Sequence, residues 1–137
     1  MTIAGVGLLP VALAAVASFM FGGAWYGILS RQWMEAVGKT EEDLKSGSLP
    51  GLLGLTFDCQ LAMALALGWL MARAGGGFSV GNGVAMATIV WLGFVLTTLI
   101  VNHGYQGARR ALTVIDGLHW LFGLLIQGAG LGWMGAR

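Results

Sequence analysis

Four long apolar stretches alternate with short polar ones along the chain. Thr2 to Ser30 contains no Asp, Glu, Lys, Arg or His. A second apolar run extends from about Pro50 to Ala72 and is broken only by Asp58. A third runs from Ala74 to Asn102 without a charge, and a fourth from Ala111 to Ala136 carries Asp116 and His119. A helix needs about 20 mostly apolar residues to cross a bilayer. The pattern therefore predicts four transmembrane helices in one domain, at about 6–29, 52–71, 84–101 and 112–133. Pro10 falls near the start of the first, where a helix tolerates it. No Lys or Arg precedes that first run, and it is too long for the core of a signal peptide, so it reads as a span.

The connections differ. Arg31 to Leu49 is the one long polar segment. Within it, Arg31 to Gly38 predicts a short interfacial helix with Trp33, Met34 and Val37 on its apolar side. Thr40-Glu41-Glu42-Asp43 has the form of a capping box, with Gly47 beyond the end of the turn it starts. Gly75 to Gly83 reads as a flexible turn: it follows no strand and lacks the Lys-Ser/Thr ending of a phosphate loop. Asn102 to Arg110 is short and basic.

Composition agrees with a membrane protein and closes other classes. Charged residues make up 9% of 137 and hydrophobic ones 57%, with a mean hydropathy of +0.80. Seven Lys/Arg and six Asp/Glu cannot cover the surface of a small soluble domain. A net charge of +1 offers no field for nucleic acid. One cysteine, Cys59, forms no internal disulfide. The first and third connections hold Arg31, Lys39, Lys45, Arg109 and Arg110, against Arg73 and Arg137 on the other side. That bias predicts both termini outside, with the long connection in the cytoplasm.

Several segments together resemble a known family. The first span ends Gly22-Gly23-Ala24-Trp25-Tyr26-Gly27, followed by Trp33-Met34 and Gly38-Lys39-Thr40-Glu41-Glu42-Asp43-Leu44. The third reads Trp91-Leu92-Gly93-Phe94-Val95-Leu96-Thr97-Thr98 and ends Val101-Asn102; the fourth carries Ile115-Asp116, His119-Trp120 and Gly128 to Gly132. This order resembles the domain of unknown function 1761 family, small four-helix bacterial membrane proteins. The resemblance covers nearly the whole chain and implies an architecture but no activity.

Ionisable groups inside a span are costly and mark candidate sites. Asp58 and Asp116 both enter from the side of the long connection, and His119 follows Asp116 at i+3. The same end of the bundle receives Trp25 and Tyr26 from the first helix and Thr98, Asn102 and His103 from the third. Stripes at 3–4 spacing run through Asp116, His119, Gly123, Gln127 and Gly130; through Thr88, Trp91, Thr98 and Asn102; through Gly54, Asp58, Ala62 and Ala66; and through Ser18, Gly22 and Trp25. Such stripes face protein rather than lipid. The expected arrangement is a bundle in which Asp58 and Asp116 face each other, with His119 beside them.

That cluster reads either as interhelical glue or as a site. Trp25 and Tyr26, with Trp33 and Trp133, also suit an aromatic belt, and Asn102 and His103 suit interfacial solvation. Gly23/Gly27 and Gly128/Gly132 are GxxxG pairs for helix packing in the bundle or between subunits. No His or Cys pair has metal-ligand spacing, no serine sits in a nucleophile elbow, and no cofactor is called for. Two functions stand: proton- or cation-linked permeation of a small solute through the polar cluster, in a homo-oligomer, or a non-catalytic accessory or partner-binding subunit. A lipid enzyme is the weaker third, since the chain lacks arrays of His, Lys or Arg for a phosphate headgroup.

Overall fold

The computed structural model describes residues 1–136. The chain opens with a hairpin of β1 (Thr2–Ile3) and β2 (Val6–Gly7). Its two-residue turn, Ala4-Gly5, has φ of 54° and 84°. Two successive left-handed residues give the turn whose twist suits a tight hairpin. The hairpin lies outside the sequence-based expectation, because two-residue strands carry no periodicity.

Helix α1 (Leu8–Ile28) leads into α2 (Ser30–Val37) and α3 (Glu41–Lys45). Gly38, with φ of 74°, ends α2 in the left-handed conformation. Thr40 and Asp43 complete the capping box at α3: the Thr40 hydroxyl accepts from the Asp43 backbone N–H, and the Asp43 carboxylate accepts from the Thr40 N–H at 2.8 Å. That bond and the one from the Thr40 hydroxyl hold the Asp43 carboxyl below its usual range. Helix α4 (Leu49–Arg73) begins with Pro50 in its first turn, where no donor is lost.

The third span is continuous but not uniform. It consists of α5 (Val80–Val90), a π-helical segment over Trp91–Leu96, and α6 (Thr97–Tyr105). The i→i+5 pattern widens the helix and rotates the residues beyond it relative to those before it. The expected stripe of Thr88, Trp91, Thr98 and Asn102 does not form one inward face: Trp91 is half-buried, while Thr88 before the π-helical segment and Thr98 and Asn102 beyond it are exposed. Helix α7 (Arg110–Met134) comes next and packs against all the other spans.

The four spans Leu8–Ile28, Leu49–Arg73, Val80–Tyr105 and Arg110–Met134 are each long and apolar enough to cross a membrane. The last three extend beyond their expected ends by up to a helical turn, since Pro50, Arg73 and Arg110 sit within helical end turns. The first span starts two residues later than expected because the hairpin occupies Val6 and Gly7.

Helix α7 is the axis of the bundle, and α1, α4 and the third span gather around it. In the half of the bundle that holds Thr2 and Ala136, hereafter the terminal end, glycine makes the contacts. A Cβ on Gly128 would run into the Gly83 backbone and come 3.2 Å from Ala87 Cβ; one on Gly132 would run into Ser79 and the Val80 nitrogen. Gly68 lies against Val6 of the hairpin, and the Gly7 N–H donates to the Ala136 carbonyl. Val6, Ala64, Met71, Ala87 and Leu131 are fully buried around these contacts.

Candidate functional site

Two polar layers cross the bundle at different depths. The first lies at mid-height. Ser18 is halfway along α1, Gln60 is on α4, and Gln127 is on α7; all three are buried. Gln127 Nε2 donates to Ser18 Oγ at 2.9 Å and to the Gln60 carbonyl at 3.2 Å. Ser18 Oγ lies within hydrogen-bond reach of Gln60 Oε1 and, at 3.1 Å, of the Ala15 carbonyl. The layer ties three helices together with neutral groups, which cost less to bury than charges. Gln127 Oε1 has no partner among the described residues.

The second layer lies at the opposite end, beside the long connection. Tyr26 Oη donates to Asp116 Oδ1 at 2.7 Å. His103 Nε2 is 3.7 Å from Asp116 Oδ2, an ion pair when the imidazole carries a second proton. Its other nitrogen, Nδ1, is 2.9 Å from Thr113 Oγ1. Two tryptophans brace α7 from either side: Trp25 Nε1 donates to the Ile115 carbonyl at 3.1 Å, and Trp91 Nε1 to the Gly117 carbonyl at 2.8 Å. Chemically, the layer is a short series of proton-holding groups, Thr113–His103–Asp116–Tyr26, joining α6, α7 and α1.

His119 sits between the layers and makes no hydrogen bond among the described residues. It is buried, and its Nδ1 is without a partner among them. Its ring lies 4.7 Å from that of Tyr26 and 4.6 Å from that of Trp120, with Phe21 stacked at 6.3 Å. A Cβ on Gly22 would come 2.8 Å from its Nε2. Gly22 is the glycine of α1 that makes room for the imidazole.

The structure departs from the expected cluster at several residues. Asp58 is exposed and faces away from the bundle. Gln60, two residues later and so about 200° around the helix, takes the inward position. The facing pair of Asp58 and Asp116 is thus not formed. Asp116 pairs with Tyr26 and His103 rather than with His119. Thr98 is exposed and returns its hydroxyl to the Phe94 carbonyl of its own helix, and Asn102 is exposed. Gly23 and Gly27 have no atom within 4 Å of a built Cβ and so make no helix contact within the chain. The contact belongs to Gly22, one residue and about 100° away.

Gln60 escapes a reading of the sequence because the neighbouring Asp58 draws attention to the wrong phase. The run Gln60, Ala64, Leu67, Gly68 and Met71 is buried at 3–4 spacing, and that periodicity is the signal that could find it. His103 suits interfacial solvation by its place near the end of its span, yet it is half-buried against Asp116 and Thr113. Two cavities stand out elsewhere. One of about 310 Å³ lies beside the long connection and is lined by Val37, Gly38, Gln106, Arg109 and Leu112 among others. The other, about 160 Å³ and apolar, lies between α4, the third span and α7. Neither is lined by Asp58, Asp116 or His119. Among the described residues no three His, Cys, Asp or Glu side chains converge as metal ligands would.

A helical bundle of four membrane-spanning segments, pinned by two internal polar layers, defines a small polytopic membrane protein. The chain belongs to the family described as Protein of unknown function (DUF1761), which matches residues 9–132, from the start of α1 almost to the end of α7. No curated protein and no solved structure matches the chain.

Proposed function

We propose that this chain is a non-catalytic, partner-binding subunit of a membrane assembly in the bacterial cytoplasmic membrane. The observation that carries the reading is Asp58. It stands on the outward face of α4 and has no hydrogen bond or ion pair among the described residues. Gln60, two residues and about 3 Å further along the helix, is bonded to the midpoint of α1, so Asp58 lies near the centre of the spans. A carboxyl facing hydrocarbon at that depth costs about 2.5–3.5 kcal/mol or more. A neighbouring protein surface would remove that cost. The internal layers fit the same reading, since they spend their polar groups on holding helices together.

Orientation follows the charge bias: Arg31–Leu49 and Arg109–Arg110 in the cytoplasm, both termini outside. The test uses membrane particles extracted with their native lipid. The wild-type chain should migrate in an assembly heavier than its own 14.3 kDa, and Asp58→Leu should shift it toward the lone chain. A lone chain in both cases retires the reading. A cysteine at position 46, in a Cys59→Ala background, should resist impermeant label from outside intact cells.

Proton-linked permeation has one observation in its favour: two hydrogen-bonded pairs, Thr113–His103 and Tyr26–Asp116, stand 3.7 Å apart at His103 Nε2 and Asp116 Oδ2. It predicts proton flux in liposomes that Asp116→Asn abolishes without unfolding the protein. No flux with wild type removes it.

A further inference from the structure

We infer that His103 is a proton-operated latch: protonated, it pairs with Asp116 and clamps α6 to α7, and on losing the proton it lets α6 swing outward at the π-helical segment Trp91–Leu96. The latch lies beside the long connection and is independent of whatever covers Asp58 on α4. Helix α6 has no buried residue. Leu99 and His103, four apart on one face, are half-buried, and the rest of the helix is exposed. Helix α5 differs: Gly83 and Ala87 are buried, and Gly83 lies backbone to backbone on Gly128 of α7. Between the two helices stands the π-helical segment, fastened to α7 where Trp91 Nε1 donates to the Gly117 carbonyl at 2.8 Å. Such a segment interrupts the regular ladder of backbone bonds and is where a helix bends. Beyond it, His103 is the one residue of α6 whose side chain makes a polar contact with another helix among the described residues.

That contact changes with a single proton. His103 Nδ1 is 2.9 Å from Thr113 Oγ1, while Nε2 is 3.7 Å from Asp116 Oδ2, beyond hydrogen-bond reach. A neutral imidazole has one N–H and one lone pair, so it donates to only one of these neighbours. An imidazolium donates from both nitrogens, and the Thr113 hydroxyl and the carboxylate can both accept. It also sets a positive charge against Asp116, and charge-assisted bonds are about twice as strong as neutral ones. Asp116 is the one acid within ion-pair reach of His103 among the described residues. The other titratable groups around it are accounted for. On α1, Tyr26 already donates to Asp116 Oδ1, and on α7, His119 lies against the Tyr26 and Trp120 rings. The π-helical segment has no titratable group. Tyr105, Arg109 and Arg110 are exposed, and Arg31 and Glu35 on α2 pair with each other.

The latch acts on the cavity of about 310 Å³ beside the long connection. Gln106 to Arg109, which line it together with Val37 and Gly38, continue directly from α6. The Ala108 N–H donates to the His103 carbonyl at 2.9 Å, so this part of the lining is tied to the latch residue itself. A swing of α6 carries the lining with it, and the proton on His103 sets the width of the cavity.

The test is the distance between α6 and α7, read by pulsed double electron resonance on the full chain in native-lipid particles. Nitroxides are placed at Ile100→Cys and Val114→Cys, both exposed, in a Cys59→Ala background. Histidine ordinarily changes charge between about pH 5 and about pH 8, so the distance distribution should be narrow at the lower value and broader or longer at the higher. A second pair, Val84→Cys with Trp133→Cys, flanks the glycine contacts and should read the same at both values, which also checks that each variant is folded. His103→Lys keeps its charge throughout and should stay narrow at both. His103→Gln and Asp116→Asn should be broad at both. A wild-type distribution that is the same at the two values overturns the latch, and so does a change that survives in His103→Gln or Asp116→Asn. The first of these outcomes needs no variant at position 103 or 116, so a variant that fails to fold does not shield the latch from refutation.

Discussion

The two ends of the bundle are held by opposite means, although α7 is the central helix in both. At the terminal end α5 lies directly on α7, backbone against backbone, at Gly83–Gly128 and Ser79–Gly132. At the connection end long side chains make the contacts with α7. Trp25 and Trp91 reach α7 carbonyls, and Tyr26 and His103 reach Asp116. The changeover on the third span falls at the π-helical segment that begins with Trp91. Lipid provides little hydrophobic drive between helices, so association depends on close packing and polar contacts. Glycine supplies the first and aromatic or ionisable side chains the second. A glycine contact has no room to adjust, whereas a bridging side chain can rotate.

The largest effect should come from closing the glycine contacts. Gly128→Ala or Gly83→Ala drives a methyl group into the facing backbone, which cannot move aside as a side-chain tip would. Each should cost about 4 kcal/mol or more, seen as loss of the folded species in detergent melting. Gly23→Leu and Gly27→Leu, placed in open positions, should stay within about 0.5 kcal/mol of wild type. A Gly128→Ala protein that melts like wild type would refute the close contact.

Smaller losses should accompany changes at the polar layers. Gln127→Leu removes the donor that ties α7 to both Ser18 and Gln60, for about 1–2 kcal/mol. Tyr26→Phe removes one bond at the connection end, for about 0.6 kcal/mol. Because the two layers share no partner, Gln127→Leu and Tyr26→Phe should add, while Tyr26→Phe and Asp116→Asn should not. Unfolding in mixed micelles of all single and double variants checks both statements, and strong coupling between Gln127 and Tyr26 would merge the two layers into one.

The smallest effect belongs to α3, outside the bundle. The Asp43 carboxyl is held below its ordinary value of 3.8 by the two Thr40 donors. A depressed carboxylate contributes its stabilisation above the ordinary value and loses it as pH falls through the lower, folded one. Helix α3 should therefore hold at neutral pH and fray in acid, with a titration midpoint below 3.8 in the Asp43 amide shift. Thr40→Ala should move that midpoint up while leaving the bundle's melting temperature unchanged.

The particular residues divide by what each depends on. Four spans, the interfacial helix before Gly38 and the capping box at Thr40 follow from local pattern, because length, apolarity and caps act within a few residues of chain. The sequence alone thereby settled the all-helical membrane architecture. It also pointed to Asp116, Tyr26, His119 and Gln127 as interior polar groups without saying how they pair. Tertiary structure decided the pairing, because each helix can rotate about its axis at no cost to its own hydrogen bonds. A turn of about 100° to 200° exchanges Gly23 for Gly22 and Asp58 for Gln60. Only packing against α7 selects between them: glycine-sized gaps set the rotation, and the interior accepts neutral Gln60 while turning the carboxyl of Asp58 outward.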